Sequence, residues 1–96
     1  MKLINKIRAE RLFNKLGYKR DYSKFNLVYY KDDKHKDIRR YIEFRPWYET
    51  ISNEMVVDAY TERYEKPDMS SEILCLSIPL TKDEIKACYL MIRGLT

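Results

Sequence analysis

A chain of 96 residues, 45% hydrophobic and 35% charged with a net charge of +4, has room for a single domain spanning 1–96 around one core. That apolar share excludes a disordered chain, and a total of two glycines argues strongly against a glycine-rich phosphate loop. The charge is lopsided: residues 1–45 carry fourteen Lys and Arg against six Asp and Glu, and residues 46–96 carry five against nine, so a basic and an acidic surface are expected unless the two halves pack together and neutralise one another.

Residues 2–16 are predicted to form a helix that stops at Gly17. At 100° per residue, Ala9, Leu12, Phe13 and Leu16 make one apolar stripe. Leu3, Ile4 and Ile7 fall on nearly the opposite side, where a second copy of the chain could dock to form a homodimer. Arg8, Arg11 and Lys15, spaced i, i+3 and i+7, line up beside Ile4 as a cationic stripe suited to phosphate or to an acidic protein. Residues 18–24 (YKRDYSK) read as a basic, aromatic connector.

Two strands are expected next, at about 25–31 and 38–47, joined by the polar tip 32–37 (DDKHKD). In IRRYIEFRPW, Ile38, Ile42 and Phe44 alternate with Arg39, Tyr41, Glu43 and Arg45, the period of a half-buried strand. Arg40 interrupts the apolar side and is expected near an edge or snorkelling outward. Pro46 cannot donate to a ladder, so the strand should end, bulge or lie at an edge there. Arg39, Tyr41, Arg45 and Trp47 would then share an open, basic and aromatic face. The lone His35 has no second ligand nearby, so no metal site is expected.

Residues 48–52 (YETIS) can form a third strand. Over 53–66, Glu54, Asp58, Glu62 and Glu65 recur at helical spacing opposite Val56, Val57, Tyr60 and Tyr64, which predicts a helix, although the β-branched pair favours a strand. Residues 73–78 (ILCLSI) read as a buried strand. Thr81-Lys82-Asp83-Glu84 is a capping box, with Leu80 and Ile85 placed as a hydrophobic staple. Ile85, Cys88, Tyr89 and Ile92 are expected to be the buried stripe of the helix it opens, and Gly94 to close that helix. Cys75 and Cys88 both sit among apolar neighbours and read as buried thiols. The predicted fold is α+β, a small antiparallel three- to four-stranded sheet packed by an N-terminal and a C-terminal helix.

Catalytic patterns are absent: there is no G-x-S-x-G, no H-E-x-x-H and no paired-cysteine metal motif, so neither an enzyme nor a cofactor is expected. No leader, lipidation motif or run of about 18 apolar residues occurs, which points to a cytoplasmic protein with no membrane partner.

The segments AERLFNKLGY (9–18), VYYK (28–31), IEF (42–44) and LTKDEIKA (80–87) together resemble a group of small proteins of phages and mobile elements of Gram-positive bacteria. The resemblance implies a helix–meander–helix fold and a phage setting, and brings no catalytic residues with it. The chain departs from that group in a longer 54–78 segment and in ending RGLT rather than LGW. Within that setting the expected function is a binding protein that inhibits a host defence factor, as anti-CRISPR proteins do. Its partner would be a protein or ribonucleoprotein docked through Arg8, Arg11, Lys15, Arg39, Tyr41, Arg45 and Trp47. The alternative is an RNA- or DNA-binding accessory protein that uses the basic, aromatic sheet face.

Overall fold

A computed structural model of the protein describes residues 2–33, 38–46, 55–63, 72–75 and 78–95. Helix α1 (Lys2–Lys15) leads into β1 (Lys19–Arg20), β2 (Leu27–Asp33), β3 (Ile38–Pro46), β4 (Met55–Arg63) and β5 (Glu72–Cys75), and α2 (Lys82–Leu95) follows. The strands form one antiparallel meander in the order β1-β2-β3-β4-β5, four strands with the two-residue β1 added at one edge. Both helices pack on one face of it, so the α+β arrangement expected from the sequence is the one observed.

The end of α1 is a Schellman motif. Gly17 takes φ +93°, the Tyr18 amide donates to the Phe13 carbonyl (2.9 Å) and the Gly17 amide to that of Asn14 (3.1 Å). A side chain at Gly17 would be strained in that backbone conformation. The turn drops Tyr18 directly beneath the helix, where its ring meets Phe13 edge-on.

Pairing Leu27 with Phe44 and Val57, and Tyr29 with Ile42 and Ala59, puts the apolar rows of β2, β3 and β4 on the helix side. Phe13 of α1 stacks on Tyr29 at 4.3 Å and meets Phe44 edge-on at 6.1 Å. Ala9, Ile42, Ala87, Cys88 and Met91 complete the buried core. Each large side chain buried here contributes about 1.5–3 kcal/mol. β3 is described as far as Pro46, which still pairs with Met55 of β4.

Residues 55–63 are strand, not the helix that their spacing suggested. The reason is arithmetic. Glu54, Asp58 and Glu62 repeat every four residues, and four is close to a helical turn while also being a whole number of strand periods. The Val56-Val57 pair and the adjacent strand β3 decide the matter. β4 then pairs with β3 along its full length, and Met55, Val57 and Ala59 face the helices. The expectations for the tip 32–37, the strand 48–52, the two ends of 53–66, the buried strand 73–78 and the buried thiol of Cys75 fall wholly or partly outside the described residues.

In α2 the capping box forms as predicted: the Thr81 amide donates to Glu84 Oε1 (2.8 Å) and the Glu84 amide to Thr81 Oγ1 (3.2 Å). The buried stripe is Glu84, Ala87, Cys88 and Met91: of the residues expected there, Cys88 is buried and Ile92 packs against the core, whereas Ile85 and Tyr89 do not belong to it. Ile85 and Tyr89 are more than half exposed, and it is Leu80 that packs against the core. Gly94 does not close the helix. It lies inside α2 at the crossing with α1, where a β-carbon would stand 2.8 Å from the Lys6 backbone nitrogen. Gly94→Ala should therefore lower stability by about 1–3 kcal/mol through backbone overlap, even though alanine favours an isolated helix by about 1 kcal/mol. Urea unfolding of the two proteins tests this, and a more stable variant would contradict the close crossing.

Candidate binding surfaces

Arg40 does not snorkel. It stands in β3 on the helix side, next in line after Ile42, and is half-buried. Its Nε donates to Tyr18 Oη (2.9 Å) and Glu84 Oε2 (3.0 Å), and its Nη2 to Glu84 Oε1 (2.8 Å) and the Pro79 carbonyl (2.6 Å). Tyr18 Oη donates in turn to Glu84 Oε2. Burial pushes the Glu84 carboxyl upward, but the Arg40 and Tyr18 hydrogen bonds, the Thr81 amide and the Arg40 charge outweigh it and hold the pKa at about 2. Burial, reinforced by Glu84, pushes the Tyr18 hydroxyl well above its usual range. Beside this cluster opens a cavity of about 710 Å³ that also reaches Lys31, Asp32 and Asp33. Its best-placed charges, Arg40 and Glu84, are spent on each other.

The helices run antiparallel, with Lys6 against Gly94 at one end and Lys15 sharing a groove with Lys86 at the other. That groove, of about 380 Å³, has a floor of Leu12 and Leu90 and walls of Arg8, Arg11, Lys15 and Lys86. None of the four cations makes an ion pair among the described residues. The sequence supplied the stripe on α1. It missed Lys86, because only the rotation of α2 about its axis turns that residue toward α1.

The other sheet face carries Arg39, Tyr41, Glu43 and Arg45 as their alternation predicted, yet its cations are answered. Arg39 donates to Asp32 through Nε (2.6 Å) and Nη2 (3.3 Å) while lying 4.3 Å above the Tyr30 ring. Arg45 pairs with Asp58 at 2.7 Å across the β3–β4 ladder. Glu43 accepts from Asn26 and from Tyr60, each at 3.0 Å. Tyr41, expected to be an exposed contact, is 5% exposed. Its ring stacks on Tyr60 (5.0 Å) beneath the Lys24 ammonium. Trp47 and His35 lie outside the described residues. Among its described residues the face offers no unpaired arginine stripe, and its rings lie against Arg39 or against each other.

Leu3, Ile4 and Ile7 are exposed on α1, away from the core. Among the described residues Tyr22 and Phe25 are the most exposed aromatics, on the turn between β1 and β2 that Asp21 braces by accepting from the Ser23 amide (3.0 Å). The connector reading of 18–24 marked Tyr22's stretch as aromatic and basic but gave no reason to expect its ring outside, and Phe25, expected in the first strand, lies before β2, which begins at Leu27. Cys88 is a free, buried thiol, pushed up to about 11 by burial and then by Glu84. No helix among the described residues is long and apolar enough to cross a membrane.

Comparison with family models, with curated proteins and with solved structures finds no match for this chain.

The Arg40–Glu84 pair governs behaviour in acid. Glu84 titrates lower in the folded chain than its ordinary 4.5, so its contribution is complete above that value and is lost as the pH falls toward about 2. Glu84→Gln should lower unfolding free energy at pH 7 by about 2–4 kcal/mol. That is slightly less than for a fully buried pair, because the Arg40 side chain keeps 27% exposure. The variant should also lose part of the wild-type dependence on pH between 7 and 3. Denaturant titrations at both pH values measure this, and an unchanged pH dependence would refute the assignment.

Proposed function

We propose that this protein is a small non-catalytic binding module that docks on the acidic surface of a larger protein, as phage inhibitors of host defence enzymes do. The observation that carries the reading is the groove between α1 and α2: four cations without a carboxylate partner among the described residues, above a floor of two leucines. An apolar floor with a charged rim is the anatomy of a protein interface. It also suits an amphipathic acidic helix laid along it, with apolar side chains on Leu12 and Leu90 and carboxylates against Arg8, Arg11, Lys15 and Lys86. A phosphate backbone would satisfy the rim but has no apolar side to fill the floor. The setting rests on the resemblance of AERLFNKLGY (9–18), VYYK (28–31), IEF (42–44) and LTKDEIKA (80–87) to small phage proteins.

The sheet-face alternative is the weaker one. With Arg39 held by Asp32 and Arg45 by Asp58, a nucleic acid would have to break pairs before forming contacts. Such surface pairs are worth only about 0–1 kcal/mol each, but their carboxylates would remain to repel phosphate.

Capture of partners from a bacterial lysate, with and without nuclease, separates these readings. The partner should stay bound after nuclease treatment, and Arg8→Glu with Arg11→Glu should reduce its recovery about tenfold or more, since like charges across an interface are strongly disfavoured. Release by nuclease, or capture indifferent to the two reversals, would overturn the proposal.

A further inference from the structure

A second cleft, of about 440 Å³, lies on the opposite flank of α1, between that helix and the β1–β2 edge. Its volume falls in the range of sites that hold small organic ligands. Three features distinguish it from the helix groove. Tyr22 and Tyr30 supply ring walls, and Tyr22 is 83% exposed, so a planar ligand can reach its face. Arg20 lies with its guanidinium carbon 5.0 Å above the Tyr22 ring, and its Nε is buried with no acceptor. A desolvated donor left unused is rare in folded proteins and calls for an explanation. Glu10 and Asn14, one turn apart on α1, present a carboxylate and an amide to the same space.

We infer that this cleft binds one unpaired pyrimidine or purine nucleotide of a single-stranded nucleic acid, through a base that bears an exocyclic amine. The base stacks on Tyr22, as exposed aromatic rings do in single-strand-binding proteins. Glu10 accepts from the exocyclic amine, the pairing a carboxylate makes with cytosine. Arg20 and Lys19 meet the phosphate, and a turn of the Arg20 side chain toward it gives Nε its missing acceptor while the Tyr22 ring stays in place for the base. Phe25, 96% exposed on the same turn, offers a platform for the neighbouring base. This site shares no residue with the helix groove and does not depend on the function proposed for it.

Fluorescence anisotropy with labelled octacytidylate, octauridylate and inorganic polyphosphate as probes tests the inference. Octacytidylate should bind several-fold more tightly than octauridylate, which lacks the amine, and Glu10→Gln should narrow that gap. Tyr22→Ala should weaken octacytidylate about tenfold, the loss expected for one stacked base. Because Tyr22 is exposed, an unchanged thermal midpoint would show that the variant is folded. Arg8→Glu with Arg11→Glu should leave this binding largely in place. The inference fails if the two oligonucleotides bind equally and polyphosphate displaces both. It also fails if Tyr22→Ala has no effect, or if the helix-groove reversals abolish binding while Tyr22→Ala does not.

Discussion

Arg40, Glu84 and Tyr18 tie together the three parts of the molecule that no continuous stretch of chain holds in place. Tyr18 follows the end of α1, Arg40 belongs to a central strand, and Glu84 opens α2. Taking the two charges out of water costs several kcal/mol, and only the bidentate geometry with two further acceptors around the guanidinium offsets that cost. An apolar trio of the same volume could be as stable. The charged one adds direction. A hydrophobic α2 could rotate about its axis at little cost, whereas a helix whose first-turn carboxylate must meet Arg40 has one rotation only.

That rotation decides what the surface looks like. With Glu84 turned inward, Ala87, Cys88 and Met91 follow it into the core while Ile85 and Tyr89 are left outside. Lys86 and Leu90 then face α1 and complete the groove that its basic stripe begins. The one interaction that fixes the core thus also assembles the surface proposed to bind a partner. Cost and use come from the same residues.

Charge is sorted by neighbourhood rather than by halves of the chain. A basic front and an acidic back were expected to form separate faces, but β3 and β4 are adjacent antiparallel strands, so Arg45 lies against Asp58 and the sheet face neutralises itself. Asp32, from the polar end of β2, does the same for Arg39. The α1 stripe escapes because Asp32, Glu43, Asp58 and Glu62 share the sheet face turned away from the helix layer, and its neighbour across the groove brings Lys86. Among the described residues, the separation that survives lies between the outer helix surface and the sheet.

The sequence by itself determined what local chemistry determines. Gly17 ends α1 because only glycine adopts φ +93° without strain, the spacing of Ala9, Leu12, Phe13 and Leu16 sets the buried side of that helix, and Thr81 with Glu84 starts α2. The alternation in IRRYIEFRP likewise fixed β3 and the facing of each of its residues. Tertiary structure decided the rest. A four-residue repeat satisfies helix and strand alike, so β4 became a strand only because β3 offered its length an edge to pair with. An arginine on an apolar row reads as a misfit until a glutamate 44 residues away is brought beside it. Pairings between residues far apart in the chain leave no periodic trace, and in this protein they set both the rotation of α2 and the composition of every candidate surface.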